Sequence, residues 1–214
     1  MNILITGGFG LIGRSLVSEL SNNNNNNIFL ISRNIRPENT GTNIVIINHD
    51  LLVPIPAEKI PKGINILIHL AAIAHKTSSD IMRINCLMTK NITDAFLNKK
   101  VKFIFFSSVA VYGEANRLFP IKVSDFCKPY SSYGLGKLKD EEIISSSFED
   151  FIILRLCPVI EGDDTDLLKR IYLPKTKIKY RSSYNRAYSF LSHSTIFKSV
   201  NNILNKKEII HKII

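Results

Sequence analysis

The sequence predicts an α/β protein, a doubly wound parallel sheet with helices on both faces. Three observations predict it. A glycine-rich turn directly follows an apolar run at the N-terminus, short β-branched or aromatic runs recur along the chain, and amphipathic helical stretches separate them. The first strand is the apolar run over residues 2–5. Spacing of Leu11, Ile12, Leu16, Val17 and Leu20 gives the first helix, over 14–20. Residues 22–27 are all asparagine and read as a low-complexity loop insertion without catalytic meaning. The second strand is 28–31, and further buried parallel strands are expected at 44–47, 64–70, 101–106 and 151–154. Between them, Ile81, Ile84, Met88, Ile92 and Phe96 are periodic within a helix over 80–96.

Composition narrows the function classes. The 214 residues suffice for one sizeable domain, or one domain and part of a second. No apolar run reaches the length of a membrane span, so no membrane partner is expected. The first strand begins at the initiator Met, which leaves no room for a signal peptide. Cys86, Cys127 and Cys157 are scattered, odd in number and without metal spacing. A reducing cytoplasm, no disulfide framework and no metal are the expectation. The net charge of +10 suits phosphorylated ligands and would also suit nucleic acid. The basic residues are spread along the chain, and no helix-turn-helix, RNA-binding or zinc motif accompanies them. Nucleic acid is therefore not expected as a partner.

The turn after the first strand reads Thr6-Gly7-Gly8-Phe9-Gly10-Leu11-Ile12-Gly13. Strand, glycine turn and helix in this order form the dinucleotide-binding context. Gly7 would allow the tight turn, Gly10 the approach of a pyrophosphate, and Gly13 close packing of helix on sheet. The helix N-terminus offers free N–H groups and a positive dipole end to the phosphates. The second strand ends in Ser32-Arg33-Asn34, with no carboxylate for the ribose hydroxyls of NAD. Arg33, helped by Arg36, could instead pair with a 2′-phosphate. The expected cofactor is NADP or NAD, with a lean to NADP; Arg33 as a solvated charge stands equally open.

Tyr133 and Lys137 stand four residues apart, on one face of a helix. A phenol has a reference pKa of about 10, and moving it to about 7 needs roughly 4 kcal/mol of differential stabilisation. Lys137, a cationic nicotinamide and a hydrogen bond from Ser108 could share that load, making Tyr133 a general base for a sugar or alcohol hydroxyl.

Taken together, these motifs resemble the extended short-chain dehydrogenase/reductase family, in particular its nucleotide-sugar epimerases and dehydratases. The resemblance runs in order. The turn from Thr6 to Gly13 matches the family's opening. His49-Asp50-Leu51 follows the third strand, His69-Leu70-Ala71-Ala72 ends the fourth, and Asn85 takes the place of a structural Asn in the next helix. Phe106-Ser107-Ser108-Val109-Ala110-Val111-Tyr112-Gly113 matches the fifth-strand motif. Tyr133-Gly134-Leu135-Gly136-Lys137 follows, with Glu141 one turn on, and Leu154-Arg155-Leu156-Cys157-Pro158-Val159 resembles the segment against the nicotinamide. The resemblance implies Ser108, Tyr133 and Lys137 as catalytic residues. It implies cofactor contacts at Gly7, Phe9, Gly10, Leu11, Ile12, Gly13, Ser32, Arg33, Asp50, Leu51, Leu70, Ala71, Ala72, Ser107, Tyr133, Lys137, Pro158 and Val159. Asp50 as a turn cap and Ser107 as a plain strand-end residue remain open.

The fold implied is Rossmann-type. Residues 1–160 would form the dinucleotide-binding domain with the Ser, Tyr and Lys, and 161–214 a partial substrate-binding region that returns to the main sheet. Family members run longer, so the resemblance implies a C-terminal portion that this chain lacks. The segment over 184–191 resembles the lead back to the main domain, with Ser194 near the place of a usual Asp, and 208–214 looks like a strand beginning. The implied function is an NAD(P)-dependent nucleotide-sugar epimerase or 4-keto-sugar reductase with a Tyr general acid/base. The alternative is a truncated, non-catalytic NADP-binding or regulatory protein of the same fold. A nucleotide sugar is the expected substrate, and a homodimer is an assembly the resemblance accommodates.

Overall fold

The computed structural model describes residues 1–33, 42–73, 80–113, 121–160, 190–205 and 212–214. In chain order the main elements are β1 (Asn2–Thr6), α1 (Leu11–Ser21), β2 (Asn27–Ser32), β3 (Ile44–Asn48), β4 (Ile66–His69), α2 (Ile81–Phe96), β5 (Lys102–Ser108), α3 (Ser132–Ser147), β6 (Phe151–Leu156), β7 (Val159–Ile160), β8 (Leu191–Ser192), α4 (His193–Asn205) and β9 (Lys212–Ile213). Every strand expected from the sequence is present, with ends shifted by one or two residues. The expectations for Arg36, for 184–189 and for most of 161–214 lie outside the described residues.

Seven strands form one parallel sheet in the order β3-β2-β1-β4-β5-β6-β9. The chain winds outward from β1 in both directions, so β1 and β4 border the point where the winding reverses. Ligands of open α/β sheets bind at such a point, beyond the carboxyl ends of the strands. Here those ends are Thr6, Ser32, His69, Ser108 and Leu156.

Strand periodicity sends alternate side chains to opposite faces. Ile3 and Ile5 of β1 enter one core with Leu16, Val17 and Leu20 of α1 and Ile196, Val200 and Ile203 of α4. Leu4 enters the other, with Ile92 and Phe96 of α2 and Ile144 of α3. Both faces are therefore covered by helices, and the strands are apolar on both sides.

The asparagine run, expected as a loop, is not all loop: its last residue, Asn27, opens β2. Its main chain turns back with Asn26 N–H donating to Asn23 C=O at 2.9 Å. Asn26 is buried and its Nδ2 donates to the Leu20 carbonyl at the end of α1. Asn27 is the first residue of β2 and donates to Asn2 Oδ1 at 2.9 Å. Individual amides thus satisfy a helix end and a strand start. A homopolymer hides this, because position along the run decides which amide is used.

Candidate functional site

The glycine turn joins β1 to α1 at the reversal point. Gly7 has φ +72°, and a Cβ there would lie 2.7 Å from Ala71 N. A Cβ on Gly13 would overlap the Gly7 carbonyl, so α1 approaches the turn as only glycine permits. The turn closes through Gly10 N–H to Gly7 C=O at 3.0 Å. Gly10 caps α1 without a side-chain acceptor, and the first turn of α1 holds no acidic residue. The N-terminal amides of α1 are therefore left to an external anion. Phe9 and Ile12 are half-buried and Leu11 exposed around this cradle. Leu70 and Ala71, from the end of β4, form its opposite wall; Ala72 beside them is exposed. These features fit a dinucleotide phosphate.

The outer end of the site is polar. Ser32 and Arg33 end β2, and Asp50 and Leu51 follow β3. Asp50 Oδ1 accepts from Leu52 N–H at 3.0 Å, the local turn cap that the sequence left open. Arg33 lies 3.8 Å from Asp50 Oδ2, with both side chains substantially exposed. Leu51 is buried in the core under α2.

The inner end carries the candidate reacting groups. Ser108 ends β5 and caps a single turn, Val109–Tyr112, through Ala110 N–H at 3.2 Å. Tyr133 lies in the first turn of α3, whose Ser131 cap accepts from Gly134 N–H. A Cβ on Gly134 would stand 2.5 Å from the Ala110 carbonyl, so this glycine lets α3 reach the Ser108 turn. Ser108 lowers the pKa of Tyr133, but burial outweighs it and Asp140 adds repulsion. The phenol therefore stands above its ordinary value rather than below it. Lys137 Nζ is 6.0 Å from the Tyr133 ring centroid and donates to the Phe106 carbonyl at 2.7 Å. The ammonium lies over the Phe105 ring, 4.4 Å from its centroid, and burial lowers Lys137 to about 8 against the opposing carboxylates of Asp140 and Glu141.

Two buried polar networks hold this end in place. In one, Glu141 accepts from Ser107 Oγ at 2.5 Å and from Arg155 Nη2 at 2.7 Å and Nε at 3.0 Å. Arg155 also donates to Tyr112 Oη at 2.8 Å. The Ser107 hydroxyl proton is thus committed inward, to the helix. In the other, His69 joins Thr6 Oγ1 at 2.6 Å and Thr89 Oγ1 at 3.1 Å. Asn85 pins residue 73 on both sides, donating to the Ile73 carbonyl and accepting its N–H at 2.8 Å. Pro158 accepts from Leu191 N–H and Val159 pairs with Leu191, which ties the end of β6 to β8. Thr89 and Asp140 escaped the sequence reading, and His69 entered it only as the start of the segment that ends the fourth strand. A charged residue three positions after Lys137, on the same helix face, was the available signal.

The pattern of the NAD dependent epimerase/dehydratase family matches residues 3–165. A provisionally named UDP-glucose 4-epimerase of Methanocaldococcus jannaschii is 35% identical over 156 residues, covering 66% of this chain and 49% of that protein. The chain thus spans about half the length of this relative. Among solved structures, UDP-glucuronic acid 4-epimerase from Bacillus cereus in complex with NAD has a TM-score of 0.81 at 25% identity, covering 100% of this chain and 77% of that one. UDP-N-acetylglucosamine 4-epimerase from the same species has a TM-score of 0.73 at 21% identity, covering 100% and 76%. The neighbour solved with a cofactor holds NAD, so the expected lean to NADP gains no support.

Proposed function

The chain belongs to the NAD dependent epimerase/dehydratase family, and from that membership we propose that it inverts the C4 hydroxyl centre of a UDP-linked hexose or hexuronate, with NAD as cofactor. The observation that carries this reading is the Ser108–Tyr133 pair beside the buried Lys137, one strand away from the glycine cradle. The Gly7–Gly10–Gly13 turn and the first amides of α1 would hold the pyrophosphate. Leu70 and Ala71, against Gly7, would border the cofactor on the side of β4. The bound nicotinamide supplies a reversible hydride acceptor. NAD rather than NADP is favoured because Arg33 reaches towards Asp50 across the adenosine end.

Tyr133 would take the proton of the substrate 4-hydroxyl and return it after the sugar turns over. Ser108 holds the same oxygen and stabilises its developing charge. Burial keeps the Tyr133 proton in place in the free chain. A positive charge beside Tyr133, such as an oxidised nicotinamide would supply, would lower the phenol's pKa and favour the base form. Lys137 orients this arrangement from the Phe106 carbonyl.

The test is incubation of the purified chain with NAD and UDP-glucose or UDP-glucuronic acid, reading the sugar C4 configuration by proton NMR. Appearance of the C4 epimer is expected. Binding of NAD with every sugar nucleotide recovered unchanged would overturn the reading.

A further inference from the structure

Lys137 is 2% exposed and carries its charge among Phe105, the Phe106 carbonyl and the first turns of α3. A buried ammonium needs a compensating charge. Two carboxylates follow it on the buried face of α3, Asp140 and Glu141. Glu141 is already neutralised by the two-pronged contact with Arg155, and its remaining capacity is taken by Ser107. Asp140 is 1% exposed, and its Oδ1 is sealed without a hydrogen bond. The groups facing it are Lys137, Tyr133 and Glu141 from α3 and Cys86 and Thr89 from α2, with His69 of β4 behind Thr89.

A chain of hydrogen bonds runs from the glycine turn to Thr89 on the facing helix. Thr6 Oγ1 accepts from Ala71 N–H, and its own buried proton goes to His69 Nδ1. That leaves the His69 proton on Nε2, donated to Thr89 Oγ1. Thr89 favours the charged form of Asp140, the buried carboxylate of the facing helix.

We propose that Asp140 is a positioning residue of this site: buried on the same face of α3, one turn from Lys137, it supplies the negative charge that keeps Lys137 an ammonium beside Tyr133. The role rests on the proposed reading of Lys137 and Tyr133 as the reacting pair. It assigns the tuning of Lys137 to a residue that neither touches substrate nor belongs to the Ser–Tyr–Lys set.

The test follows the side-chain ε-carbon of Lys137 by carbon NMR in the full chain labelled with 13C-lysine, the resonance assigned by its loss in Lys137→Met. Burial sets the wild-type midpoint at about 8. In Asp140→Asn the midpoint is expected to fall by about one pH unit, a tenfold loss of ammonium relative to amine at fixed pH. Asp140→Glu, which restores the charge, is expected to recover most of the shift. A midpoint unmoved in Asp140→Asn overturns the proposal. Should that variant fail to fold, the wild type still decides. Its Lys137 signal must show a second step near pH 6, where burial has raised Asp140, and a flat signal there overturns the proposal. Neither readout needs turnover. A Lys137 shift without sugar epimerisation would leave the counter-charge standing and fault the functional reading instead.

Discussion

At the scale of single residues, the buried polar groups reveal most. His69 sits at the end of an apolar strand, fully buried, stacked on Phe105 with ring centroids 5.8 Å apart. Burial, with Lys137 adding repulsion, lowers its pKa to about 3. The folded chain therefore holds His69 neutral while the unfolded chain protonates it near 6.5. The resulting stability is fully present above 6.5 and is lost as pH falls towards about 3. At pH 5 the loss amounts to about 2 kcal/mol. Asp140 works in the opposite sense, since its raised pKa of about 6 restores some stability on acidification. That contribution is common to wild type and His69→Gln. Denaturant unfolding at pH 7 and pH 5 should therefore show the wild type losing about 2 kcal/mol more than His69→Gln. Equal losses would contradict the neutral, buried assignment. Ser108, Tyr133 and Lys137 were legible in the sequence because their spacing and order are specific. Asp140 was not, because its meaning depends on Glu141 being neutralised by Arg155, a contact made across the sheet.

At the scale of elements, strands and turns were the most legible. Apolar β-branched runs and the glycine turn carry their signal locally. Helix α3 was legible only through its motif. Its buried face is Gly134, Gly136, Lys137, Asp140, Glu141 and Ile144, which carries almost no apolar stripe. Two glycines replace bulk there: Gly134 against the Ala110 carbonyl, and Gly136, whose Cβ would meet Met82 Cα of α2 at 3.2 Å. Close approach and ion pairing take the place of hydrophobic packing. The Arg155–Glu141 pair joins β6 to α3 at 2.7 Å, with side chains 7% and 5% exposed. Removing one partner leaves a buried charge, which costs about 3–5 kcal/mol. Arg155→Met should lower the unfolding free energy by that amount, measured by urea denaturation. A change within about 0.5 kcal/mol, the size of a surface substitution, would show the pair to be solvated.

At the scale of the whole molecule, alternation of strands and helices predicted the doubly wound sheet, and the strand order fixes where its ends converge. The glycine turn, the Ser108 turn and Tyr133 come from segments far apart in sequence and meet at one edge of the sheet. The order β3-β2-β1-β4-β5-β6-β9 brings them together, beyond the carboxyl ends of the central strands. Residues 193–205 pack on α1 and 212–213 pair with β6, so the last described segments return to the main sheet. No helix among the described residues is long and apolar enough to cross a membrane. On the proposed function, this convergence makes Tyr133 the proton-transfer group of a site that would hold NAD independently of it. Tyr133→Phe tests it most directly, in one sample read twice: NAD affinity by titration, and C4 epimerisation of the UDP-sugar by NMR. The expected result is NAD affinity within about twofold of wild type and turnover reduced by about 100-fold or more. Turnover equal to wild type, with NAD still bound, would contradict it.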